Sequence, residues 1–75
     1  MGRRAMQSIR QLREERGWTQ LELASRLGVT PITVYNWERR QHEPRGSQLR
    51  ALARAFDVSM DDIDFETQPS DELSG

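Results

Sequence analysis

Cysteine is absent from the 75 residues, and so is lysine. The first absence excludes disulfide staples and thiolate metal sites. The second makes all eleven basic side chains arginines. No apolar run approaches the roughly 18 residues that span a bilayer, and no signal-peptide core is present. Gly2 is followed by Met6 where a myristoylation signal needs Ser or Thr. An intracellular, soluble, cytoplasmic chain is expected. Catalytic side chains are as scarce. His42 is the single histidine and lies in a polar stretch with no acid framework around it. Asp61, Asp62 and Asp64 do not follow the calcium-loop spacing. The sequence therefore reads as non-enzymatic, with no metal and no cofactor.

Charge is present, but unevenly. Residues 1–56 carry every arginine against five glutamates, a local balance of +6, whereas residues 57–75 carry seven acids and no base, −7. The overall charge of −1 thus joins a cationic body to an acidic end. Such a body favours a polyanionic partner. An arginine-rich genome would account for the missing lysine equally well. A chain of this length makes one domain and buries only about two-thirds of its unfolded surface.

Helix starts are unusually well marked. Thr19 is a candidate N-cap, Glu22 completes a capping box, and Trp18 and Leu23 form a hydrophobic staple around it. The same apolar–Ser/Thr–apolar arrangement recurs at Val29-Thr30-Val34 and Val58-Ser59-Ile63. Gly17 stands where a helix C-terminus needs a left-handed residue. Leu49, Leu52, Ala53 and Phe56 form one helical stripe. The prediction is all-α, with five helices over residues 6–16, 20–27, 31–39, 47–56 and 60–64 and no competing strand. Residues 1–7 form a basic arm with Arg3 and Arg4, residues 8–65 the domain, and residues 66–75 an acidic disordered tail.

Only Gly28, Val29 and Thr30 separate the second helix from the third. So tight a turn needs the positive φ that Gly28 adopts without strain. Ala24, one turn earlier, permits close crossing, and Val34 fills the wedge. The spacing Ala24-x₃-Gly28-x₅-Val34 is that of a helix-turn-helix over residues 20–39. With "LREERGWTQLELASRLGVT", Trp37-Glu38, Glu43-Pro44 and "LRALARAFDVSMDDI", the chain from about Ile9 to Ile63 resembles the lambda-repressor-like, Cro/XRE-type DNA-binding domain.

The resemblance implies a compact five-helix domain whose third helix enters the major groove. It explains the odd composition of that helix. Val34 and Trp37 face inward, leaving Ile32, Thr33, Tyr35 and Asn36 at the other side or its edges. An ordinary solvated face would be charged. Asn36 is instead suited to a bidentate pair with adenine and Ile32 to thymine methyl groups. Pro31, Ile32 and Asn36 are the expected base readers, with Thr33 and Tyr35 beside them. Several family members carry a base-reading Gln at the position of Pro31, so shape or methyl contact is expected there. Tyr35 is equally placed to be a half-buried ring at the helix flank, and Ile32 to touch the second helix.

Phosphate contacts should supply the affinity. The candidates are Gln20 and Thr30 at helix starts, Arg39, Arg40 and Arg45 around the loop after the third helix, and Arg13. The resemblance further implies an Arg13–Glu38 salt bridge that orients the reading helix. Such domains usually bind palindromic operators as pairs, so the resemblance implies double-stranded DNA as the partner at the nucleoid and leaves open a homodimer formed on it. The rival reading is a protein-interaction module, or an antitoxin-type regulator that also binds a partner, with the acidic tail as the partner segment.

Overall fold

The computed structural model describes residues 6–65. The order is β1 (Gln7–Ser8), α1 (Ile9–Glu15), α2 (Gln20–Leu27), α3 (Pro31–Glu38), α4 (Gly46–Phe56), a 3₁₀ turn (Met60–Asp62) and β2 (Ile63–Asp64). The basic arm residues Arg3 and Arg4 and the acidic segment 66–75 lie outside the described residues.

The marked helix starts are made by their own side chains. The Thr19 hydroxyl accepts the Glu22 N–H at 3.0 Å, and the Glu22 carboxylate accepts the Thr19 N–H at 3.0 Å. Thr30 accepts from Thr33 N–H at 3.3 Å, with Pro31 in the first turn, where its missing donor costs nothing. Gly28 closes α2 with φ 73° and directs the chain into α3, while Val29 N–H reaches the Ala24 carbonyl at 3.0 Å. No heavy atom lies within 4 Å of a Cβ built on Gly28, so backbone conformation alone demands glycine there.

Three expectations are corrected, the first being the absence of strands, since β1 and β2 form a small parallel ladder beside the helices. The first helix begins at Ile9, not residue 6, because Ser8 caps it: its hydroxyl accepts Gln11 N–H at 3.0 Å and its own N–H donates to Gln11 Oε1 at 2.8 Å. The expected fifth helix over 60–64 is a single 3₁₀ turn, leaving four helices among the described residues. Ser59 does cap it, accepting Asp61 N–H at 3.2 Å. After one turn Ile63 takes extended dihedrals and its strand runs parallel to β1, with Gln7 opposite Ile63 and Ser8 opposite Asp64. Ile63 is fully buried in this pose. Five residues containing three carboxylates have little to gain from a second helical turn, whereas the ladder pairs backbone groups and seats Ile63.

One core joins the four helices and β2: Ile9 and Leu12, Leu23 and Ala24, Val34 and Trp37, Leu52, Ala53 and Phe56, and Ile63. Trp18 stacks on Phe56 with ring centroids 5.9 Å apart, and the Arg26 guanidinium covers the Trp18 ring at 4.1 Å. This platform fixes α2 and α4 behind α3. Val34 and Trp37 anchor α3 from within, so its remaining residues, Glu38 excepted, face out or lie along its flanks.

Candidate nucleic-acid interface

The outer side of α3 carries no exposed charge within the helix. Its single ionisable residue besides the lone tyrosine, Glu38, is turned inward, with only 5% of its side chain exposed. Arg13 Nε donates to Glu38 Oε2 at 2.6 Å and Nη2 to Oε1 at 3.1 Å, while Nη1 donates to the Trp18 carbonyl at 2.8 Å. Gln20 Nε2 also donates to Glu38 Oε1, at 3.0 Å. The hydrogen bonds that Arg13 donates to Glu38 push its guanidinium above its ordinary range, against the opposing effect of burial. Three helices thus meet at one carboxylate. Such a pair adds little net stability, since desolvation offsets attraction, but it fixes the position of α3 relative to α1 and α2.

Of the residues expected to read bases, Ile32 is 58% exposed and Tyr35 40%, and Pro31 is also exposed. Thr33 and Asn36 are half-buried. The Thr33 hydroxyl lies 2.9 Å from that of Thr30, so the two threonines share a hydrogen bond at the start of α3. Ile32, Tyr35, Pro31 and Gln20 line a shallow apolar cleft. On the other flank Thr33 and Asn36 line a polar cleft with His42, Glu43, Arg45 and Gln48.

The candidate phosphate contacts are distributed around this ridge. Arg13, Gln20 and Arg39 border one cationic cleft, joined by Arg10. Arg45 precedes α4, where its N–H donates to Gln48 Oε1 at 2.8 Å. Arg40 stands apart. It takes a left-handed conformation, φ 61°, and its guanidinium is paired with Asp64 at 3.0 and 3.2 Å. Arg10, His42 and Gln48 are not among the DNA contacts expected from the sequence. Arg10 is one turn before Glu14 and pairs with it at 2.9 Å, a spacing that reads as a solvated helix face.

The family model described as helix-turn-helix matches residues 9–63. Among solved structures, the chain is similar to the solution structure of the DNA-binding domain of the P22 C2 repressor. The identity is 36% over 71% of this chain and 70% of that one, with a TM-score of 0.67. No curated protein matches. A helix pair joined through Gly28, an outward α3 free of exposed charge and these two likenesses agree, and the chain belongs to the Cro/XRE-type helix-turn-helix family of DNA-binding transcriptional regulators.

Proposed function

We propose that the protein binds specific double-stranded DNA sites with α3 in the major groove, as a repressor-like regulator. The observation that carries this reading is the pairing of an uncharged, partly apolar outer edge on α3 with an arginine-lined cleft on one flank and a polar cleft that includes Arg45 on the other. Base edges offer methyl groups and amide-complementary donors and acceptors, and phosphates demand the arginines. Ile32 meets thymine methyl groups, Asn36 pairs with adenine from the edge of the polar cleft, and Pro31 and Thr33 shape the approach of the helix end. Gln20, Thr30, Arg39 and Arg45 hold the backbone, with Arg13 and Arg40 contributing less because Glu38 and Asp64 already hold their charges. Glu38 keeps Arg13 and Gln20 oriented. Two copies meet on a palindromic operator, each reading one half-site about one helical turn from the other.

Selection of bound sites from random duplexes tests this directly, followed by titration of the selected site and an unrelated duplex across a salt series. Binding should fall linearly in log–log form with a slope of about −0.9 per phosphate neutralised, and the selected site should be two-fold symmetric and tighter by a factor of about 10³ or more. Absence of any complex in dilute buffer, or equal affinity for every duplex, refutes the reading.

A further inference from the structure

The apolar and cationic clefts beside α3 share two residues, Gln20 and Tyr35. On one side of Tyr35 lie Pro31 and Ile32; on the other lie Arg10, Arg13, Glu38 and Arg39. The ring is therefore a wall between the side of the helix suited to base edges and the side suited to phosphates. Its face is also occupied. The Arg39 guanidinium carbon lies over the Tyr35 ring, 5.4 Å from the centroid. The two residues are one helical turn apart, the spacing at which side chains on a helix surface meet.

Stacking has a consequence for Arg39. An exposed arginine explores many rotamers, and confining it on binding costs entropy. An aromatic face attracts the cation and holds it while leaving the in-plane N–H donors pointing outward. We propose that Tyr35 is a positioning residue: it holds Arg39 at the mouth of the cationic cleft for a backbone phosphate and does not read a base. The inference rests on the DNA-binding reading of α3 and alters the part that Tyr35 plays in it.

A double-mutant cycle in the full chain tests it. Kd is measured for Tyr35→Leu, Tyr35→Phe, Arg39→Ala and Tyr35→Leu/Arg39→Ala, on a selected site and on a random duplex. Leu keeps the apolar bulk at a position already 40% exposed, so the variant retains its fold while losing the π face. Tyr35→Leu should weaken both duplexes alike, by about 2- to 5-fold, the range of an exposed cation–π contact. Tyr35→Phe should match the wild type, and the double variant should bind no worse than Arg39→Ala. A loss confined to the selected site, additive losses, or equal losses for Phe and Leu would overturn the proposal.

A measurement without DNA separates this inference from the reading beneath it. Tyr35 is the sole tyrosine, and its ring current should shift the Arg39 side-chain resonances upfield in the free protein, an effect abolished by Tyr35→Leu. Unchanged resonances in that variant overturn the stack. An intact ring-current shift without affinity for any duplex would instead overturn the phosphate role together with the DNA reading.

Discussion

Arg40 and Asp64 clasp the end of α3 to the final strand, with the guanidinium spanning both carboxylate oxygens at 3.0 and 3.2 Å. Arg40 sits there in a left-handed conformation that side chains other than glycine adopt at a cost of about 1 kcal/mol. A partly exposed ion pair gives back up to about 1 kcal/mol. Arg40→Gly should therefore be nearly neutral, removing strain and pair together, whereas Arg40→Ala keeps the strain and loses the pair. Thermal unfolding should show Arg40→Ala lower by about 4–8 °C per kcal/mol lost and Arg40→Gly close to wild type.

The Arg13–Glu38 pair is of another kind, because both side chains are nearly enclosed. Glu38→Ala would leave Arg13 without its carboxylate in a poorly solvated place, a loss of about 3–5 kcal/mol. Glu14→Ala, which removes an exposed partner of Arg10 one helical turn away, should cost no more than about 0.5 kcal/mol. Urea midpoints of the two variants measure the contrast. A similar midpoint for both would show that Glu38 carries no special burden. The raised Arg13 value places the loss of this interaction at the alkaline extreme. Stability from Arg13 is complete below its unfolded-state pKa and declines only as pH rises through the still higher folded value, leaving a flat profile across neutral pH.

Gly28→Ala isolates backbone strain. Its φ of 73° is left-handed and the space around a new Cβ is open, so the expected cost of about 1–2 kcal/mol is conformational and not steric. Gly28→Asn should be milder, since asparagine tolerates this region better. Chemical denaturation of both variants gives the comparison; equal destabilisation would point to a contact cost instead.

Specificity and affinity should separate by residue. Asn36→Ala should relax selection at one or two base pairs of the site, by about 1–3 kcal/mol each. Arg45→Ala should weaken all duplexes alike and flatten the salt slope by about 1. Arg40→Ala should also act on all sequences alike, but more weakly, because its charge is already held by Asp64. Site selection repeated with each variant distinguishes the two behaviours.

Most of the helical frame was legible because capping chemistry is local. Thr19 with Glu22 and Thr30 with Pro31 announce α2 and α3 without reference to anything distant. The helix-turn-helix followed from the same locality, through Ala24, Gly28 and Val34. What escaped depends on residues far apart in the chain. Nothing around Ile63 signals that Gln7 lies beside it, so its single 3₁₀ turn read as a helix. The clasp of Arg40 on Asp64, 24 residues later, is invisible for the same reason. The stack of Arg39 on Tyr35 differs: the two are four residues apart on one helix, and the spacing alone could have suggested it.

Ser8 serves two masters. It faces Asp64 in the small parallel ladder and also caps α1, the helix that bears Arg13. Peeling away the last strand would therefore slacken the hold on the opening turn of α1 on the opposite side of the sequence. Breathing at one extremity is felt at the other, and amide exchange at Gln11 and at Ile63 should keep common time.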